Sequence, residues 1–187
     1  MKKIDSYVFN DMEELRELSL PDSLEMIDEL NLEDCDNLRY NELDGAKYLG
    51  NENNPYIVLV KAEDEIEELN VKSGCKIIFS HACANNTKLK RVFIPESVRY
   101  IGLMAFYECK SLSGFTLSEG VTLIDSCAFD GCVNLKTFKA KDGSNLYGDY
   151  IFSECTALEE VILPKALKSR ISIDEFENSE GVQLKFI

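Results

Sequence analysis

Seven cysteines, at positions 35, 75, 83, 109, 127, 132 and 155, are the residues with the most chemistry to offer. A structural zinc site takes thiolates in pairs about two to four residues apart, which a spacing of 23 does not fit. Cys109, Cys132 and Cys155 instead recur at intervals of 23, and with Cys35 they fall in one inward column, where a thiol packs as a small apolar residue. Cys127 and Cys132 flank Phe129, which must point to the core, so their thiols should not converge on an ion. An odd count arranged in a column is also no disulfide framework. His81 is the single histidine, so the common acid–base and nucleophile constellations lack a member. Carboxylate pairs such as Glu159 and Glu160 sit on a strand edge with no cleft implied. No P-loop or dinucleotide motif is present. The sequence therefore predicts no catalytic residue, no metal site and no cofactor, and the protein is not expected to be an enzyme. The rival reading, chemistry hidden near Cys83 or at an inserted hairpin, assigns no nucleophile, base and orienting group together.

The interval of 23 belongs to the whole chain. From Leu89 to Ala157, LKRVFIPESVRYIGLMAFYECKS, LSGFTLSEGVTLIDSCAFDGCVN and LKTFKAKDGSNLYGDYIFSECTA follow one another. A fixed period in the twenties is the mark of a solenoid, whose coils bury their apolar faces against their neighbours. The columns read Leu89, Leu112, Leu135; Val92, Phe115, Phe138; Ile101, Ile124, Tyr147; Phe106, Phe129, Phe152. The opening L-x-x-V-x-I alternates as a strand with one buried face, which predicts a parallel sheet along one side. The A-F-x-x-C-x-x-L stretch has helical spacing, which predicts one turn of α- or 3₁₀-helix on the other side. The expected fold is an α/β solenoid with a phenylalanine ladder as its core.

Leu89 to Cys109, L-x-x-V-x-I-P-x-S-V-x-x-I-G-x-x-A-F-x-x-C, resembles the BspA-like subclass of leucine-rich repeats. The resemblance implies a leucine-rich-repeat solenoid acting in protein–protein interaction, of a kind often bacterial, surface-exposed and adhesive. An intracellular scaffold and a repeat block of a larger protein are the alternatives. Related sequences carry a stretch like YLGN…NPY…LVKA, which implies that residues 38–65 are a standing structural module.

Taken in order, the chain reads as one domain, 1–187. Residues 1–14 are in phase as a half-repeat cap, with helix-forming residues from Met12 to Glu17, and 15–37 form a repeat. Residues 38–65 are an insertion or remodelled coil, with Tyr40 to Leu49 and Tyr56 to Ala62 as the strands of a β-hairpin joined by a turn at 50–55. Four repeats occupy 66–157. In the first of them Cys83 stands for the phenylalanine and Asn86 for the cysteine, so a cavity or a repacked core is expected there. Residues 158–187 are a degenerate last repeat, with Ile171 and Phe176 one place late, and a closing strand.

Residues 1–70 hold 20 acidic and 6 basic side chains, and 71–187 hold 14 of each, so the net charge of −14 belongs to the N-terminal part. That argues against nucleic acid or an anionic membrane as partner, and no apolar run reaches the ~18 residues of a membrane span. Met1-Lys2-Lys3 is followed by no apolar core of a signal peptide. The resemblance implies the cell surface or secretion, and the missing leader favours the cytoplasm. Oligomeric state is not legible. What remains is the outward face of the sheet, where Lys90, Arg91, Phe93, Thr116, Lys136, Lys139, Glu159 and Ile162 are the expected partner-binding residues. Phe93 and Ile162 are read as apolar anchors between charges that set register.

Overall fold

Two or three alternating residues, repeated every coil, give short strands that find partners only in the coils before and after. The computed structural model describes all residues except 1, 6, 7, 10, 11, 29–31, 33, 34, 145, 147 and 180, and not the side chains of 173 and 174. Its strands are β1 (Lys3–Ile4), β2 (Met26–Ile27), β3 (Asn41–Leu43), β4 (Ala46–Leu49), β5 (Val58–Ala62), β6 (Glu68–Asn70) and β7 (Ile77–Ile78). They continue as β8 (Arg91–Phe93), β9 (Tyr100–Ile101), β10 (Gly114–Thr116), β11 (Leu123–Ile124), β12 (Thr137–Lys139), β13 (Glu160–Leu163) and β14 (Gln183–Phe186). The L-x-x-V-x-I strands make one wall, divided into β6–β8 and β10–β12–β13–β14, all parallel. A second wall is a six-stranded sheet, β11–β9–β7–β5–β4–β3. Register follows the period: Ile78 lies against Ile101, and Phe115 against Phe138. Tyr147, expected in the Ile101 column, lies outside the described residues.

The third wall is not helical, which corrects the expected helical turns. Every second N–H there leaves its own coil: Met104, Phe106 and Glu108 donate to the carbonyls of Ser126, Ala128 and Asp130 at 3.1, 2.9 and 2.8 Å. The N–H groups between them, of Ala105, Tyr107 and Cys109, close local turns onto Gly102, Met104 and Phe106. Left-handed residues reset the chain four apart, at Met104 and Glu108 (φ 52 and 56), Cys127 and Gly131 (φ 54 and 73), and Tyr150 and Glu154 (φ 59 and 55). A helix needs unbroken negative φ, so turns joined across coils replace it. Among the described residues, Lys165–Leu167 and Ile173–Phe176 form short 3₁₀ helices near the C-terminal end.

The core is aromatic. Phe106, Phe129, Phe152 and Phe176 stack in sequence, with centroids 5.3, 5.9 and 5.7 Å apart and rings within 13° of parallel. Phe115 and Phe138 stack beside them and meet them edge to face. Burial of a phenylalanine side chain stabilises by about 1.5–3 kcal/mol, and a favourable ring pair adds about 0.5–1.5 kcal/mol. Phe176 takes its rung although it stands one residue late, because the 3₁₀ helix at Ile173–Phe176 absorbs the extra residue.

The cysteine column does more than fill space. Cys109, Cys132 and Cys155 are buried, and their thiols donate to the carbonyls of Cys83, Phe106 and Phe129, one coil earlier, at 3.1, 3.2 and 3.1 Å. Cys35 does the same to Phe9 at 3.6 Å. Where other residues stand in this column they donate too: Ser179 Oγ reaches the Phe152 carbonyl at 3.0 Å, and Asn86 Nδ2 the Glu63 carbonyl at 2.9 Å. Burial pushes the thiols of Cys109 and Cys155 up to about 12.

Residues 38–65 form a coil with an excursion. Arg39 N–H bonds to the Arg16 carbonyl and Leu20 N–H to the Gly50 carbonyl, as rungs of the first wall do, while 41–49 loop out between them. Tyr40 to Leu49, expected as one strand, is folded at Asp44 and Gly45 (φ 50 and 75). Consecutive left-handed residues give the turn whose twist suits a two-residue hairpin, so β3 and β4 pair antiparallel and β4 pairs with β5. The hairpin sends Tyr48 inward. Its ring is 1% exposed, its hydroxyl accepts the Lys72 N–H at 3.3 Å, and burial, with the nearby Cys75 and Cys83 thiols, pushes it up to about 12. An aromatic ring from the excursion thus stands beside the coil whose own phenylalanine is missing.

At the N-terminal end β1 pairs with β2, Ile4 against Ile27, one period apart. Met12 to Glu17, read as helix-forming, holds a turn at Glu13–Glu14 closed by Leu15 N–H on the Met12 carbonyl at 2.9 Å.

Candidate interaction surface

A strand wall built from parallel rungs presents its outward side chains in rows about 4.8 Å apart. One row runs Thr116, Lys139, Ile162, Lys185, in register across β10 to β14. Asn70 and Phe93 form the same row on β6 and β8. The flanking row carries Glu68 and Arg91, then Gly114, Thr137, Glu160 and Gln183. Thr116, Lys139 and Ile162 are thus brought together, Lys136 and Glu159 adjoin them through the Glu159 N–H to Lys136 carbonyl bond at 2.9 Å, and Lys90, Arg91 and Phe93 stand across the division of the wall.

Much of the charge on this face is paired. Lys90 Nζ lies 2.9 Å from Glu67, Arg91 meets Glu68 at 2.7 Å, and Lys88 meets Glu65 at 2.8 Å, each pair one period apart. Their hydrogen bonds hold the Glu67 and Glu68 carboxyls below their ordinary range. Lys185 pairs with Glu160. On the strand wall from 66 to 186, Lys136 and Lys139 are left without a carboxylate partner among the described residues. Solvent-exposed pairs add little to stability, so their effect here is on the potential of the face. Glu67 and Glu68 were legible as partners from their offset of 23 from Lys90 and Arg91.

Phe93 is 51% exposed, on a strand whose backbone pairs with β6 on one side. Ile162 is half-buried between the stems of Lys139 and Lys185. Val92 and Ile94, which occupy inward positions, are also half-buried, whereas Phe115 and Leu117 one coil later are buried. Sequence reasoning missed both, because their types and spacing are those of core residues.

The remaining candidate groups are elsewhere. His81 and Cys127 lie on the turn wall at left-handed positions. Burial and the carboxylates of Asp130, Asp125 and Asp149 raise the Cys127 thiol. Cys83 is buried, with its thiol raised well above the ordinary value by desolvation. No group of three His, Cys, Asp or Glu among the described residues is placed to hold a metal, and no described helix is long and apolar enough to cross a membrane. A groove of about 670 Å³ lies where the hairpin meets the first coil, lined by Glu17, Tyr40, Asn41, Asn51, Glu52 and Pro55 among others.

Comparison with known proteins puts this geometry in context. The sequence profile of the BspA type leucine-rich repeat region matches residues 1–53 and 62–186 in 6 copies. A comparison with curated proteins returned no match. Among solved structures, a leucine-rich cell surface protein from Faecalibacterium prausnitzii is similar with a TM-score of 0.72 and 23% identity, over 92% of this chain and 48% of its own. The pneumococcal vaccine antigen PcpA is similar with a TM-score of 0.61 and 19% identity, over 87% of this chain and 42% of its own. The leucine-rich repeat protein of T. pallidum has a TM-score of 0.60 and 17% identity, over 79% of this chain and 82% of its own. The chain spans about half the length of the first two. At these identities the likeness is one of fold.

Proposed function

The chain belongs to the BspA-type leucine-rich repeat family, and on that footing we propose that it is a non-enzymatic module of the bacterial cell-surface type that binds a protein partner through its strand wall. The observation that carries this reading is Phe93, a large apolar side chain 51% exposed on a strand paired with β6, beside cations already neutralised by Glu67 and Glu68. An aromatic ring in that setting loses little conformational freedom on binding and is the type of residue that dominates interface energetics. Lys136, Lys139 and Glu159 supply unpaired charge that sets register, and Thr116 and Ile162 complete the contact area. Adhesion to a host or neighbouring cell is the biological role this surface would serve.

The test is capture by the intact chain and by a Phe93→Ala, Lys139→Glu variant, with melting temperatures measured for both. Loss of a partner by the variant at an unchanged melting temperature supports the strand wall. Equal capture by both proteins removes the wall from consideration.

A further inference from the structure

The inserted coil is tied to the first by Arg39 N–H on the Arg16 carbonyl and by Leu20 N–H on the Gly50 carbonyl, and 41–49 loop out between those ties. A groove of about 670 Å³ lies there, a volume that suits a small-molecule ligand. Side chains hold its walls. Asn51 Nδ2 donates to the Leu20 carbonyl at 2.8 Å, and Asn51 Oδ1 accepts the N–H groups of Asn53 and Asn54, both at 2.9 Å. Asn54 Nδ2 reaches the Gly74 carbonyl and Asn41 Nδ2 the Pro55 carbonyl, each at 2.9 Å. The turn at 50–55 also requires Gly50, where a Cβ would collide with the Asn54 carbonyl. It is thus pinned to the first coil, to β3 and to the coil that follows, so little ordering is left for a ligand to impose.

The lining has two characters. Leu18, Tyr40 and Pro55, half-buried, and Leu49, buried, supply apolar surface. Asn41 Oδ1, the Asn53 side-chain amide, the Glu52 carboxylate and the Ser19 hydroxyl have no hydrogen-bond partner among the described residues. The cations nearby are matched: Arg39 lies 3.5 Å from Glu17, and Lys47, over one face of the Tyr40 ring, lies 3.8 Å from Glu42. A phosphate, sulfate or carboxylate ligand therefore meets no open positive charge. A molecule with an apolar C–H face and a rim of hydroxyl groups matches both characters, because planar amides and carboxylates offer paired sites to adjacent hydroxyls. We propose that this groove binds a neutral oligosaccharide, with the open face of Tyr40 against one sugar ring and Asn41, Glu52 and Asn53 on its hydroxyl groups. The site uses neither Phe93 nor Lys139, so it goes beyond the strand-wall reading and does not depend on it.

Backbone amide NMR shifts of the full chain test this, with tetrasaccharides of glucose, mannose, galactose and N-acetylglucosamine as probes and a glucuronate tetrasaccharide as the charged counterpart. At least one neutral sugar shifts the amides of Ser19, Asn41, Glu52 and Asn53 saturably, and the glucuronate binds at least fivefold more weakly than the glucose tetrasaccharide. Asn53 is exposed, so Asn53→Ala leaves the melting temperature unchanged and weakens binding about fivefold, as loss of one hydrogen bond does. Tyr40→Phe keeps the ring and the affinity. Glu17→Gln uncovers Arg39 and brings the glucuronate toward parity. The proposal is overturned if no neutral sugar shifts those four amides, if the parent chain takes glucuronate as well as glucose, or if Asn53→Ala binds unchanged. Phe93→Ala leaves sugar binding intact; a loss there would move the sugar to the strand wall and overturn the groove as its site.

Discussion

The Cys132 thiol donates to the Phe106 carbonyl 3.2 Å away, one coil earlier in the chain. The same carbonyl accepts the Cys109 N–H at 3.2 Å, so one oxygen closes its own turn and ties the next coil to it. The column of cysteines is thus a column of donors.

Replacing Cys132 by valine keeps the site apolar at a somewhat larger volume and leaves that oxygen with one buried lone pair unmet, a loss of about 1 kcal/mol. Serine keeps a donor, as Ser179 does at the Phe152 carbonyl. Chemical denaturation of the two variants is therefore expected to rank Cys132→Ser above Cys132→Val in stability. The reverse order would show that packing alone fixes this column.

Cys83→Phe restores the repeat's residue type but not its space, because the Tyr48 ring is buried beside that coil. Overpacking of this kind costs about 1–3 kcal/mol, which is expected as a lower denaturation midpoint. A stabilised variant would mean that Tyr48 does not occupy the missing rung.

These two cases mark what the sequence carries. The period, the phenylalanine column and the outward face follow from side-chain alternation alone, and each lies where the residues place it. The turn wall was misread because A-F-x-x-C has the same three-residue spacing in a helix and in successive turns. The difference lies in left-handed φ at Met104 and Cys127, residues with no preference for it. The hairpin carried its own signal in Asp44-Gly45, inside what reads as one strand. The division of the strand wall between β8 and β10 leaves no trace in the columns, since the period runs through it unchanged.

Among the described cysteines, Cys127 alone is not fully buried. One thiol per chain is expected to react with a disulfide reagent before unfolding, and the other six only after it. Burial and the surrounding carboxylates raise that thiol above its ordinary 9.0, so labelling accelerates with pH and does not level off below that value. Asp130→Asn speeds it roughly twofold by removing a nearby charge. Prompt labelling of several thiols would contradict the buried column.

Glu67 and Glu68 are held below their usual 4.5 by hydrogen bonds to Lys90 and Arg91. A depressed folded-state value gives stability that is present above pH 4.5 and is lost as pH falls through the lowered values. Glu67→Gln with Glu68→Gln is expected to flatten that part of the acid limb of a stability–pH curve and to leave the neutral range little changed, as exposed pairs do. An unaltered acid limb would mean the pairs do not persist in solution.

Phe93 and Tyr150 are exposed to similar extents, 51% and 46%, but stand on the strand wall and the turn wall respectively. The most direct measurement is the Kd of the captured partner for Phe93→Ala and for Tyr150→Ala by calorimetry. The account predicts at least a tenfold rise for Phe93→Ala, the effect of truncating a hot-spot aromatic, and no change for Tyr150→Ala. A weakened Tyr150→Ala beside an unaffected Phe93→Ala would place binding on the turn wall and contradict the account.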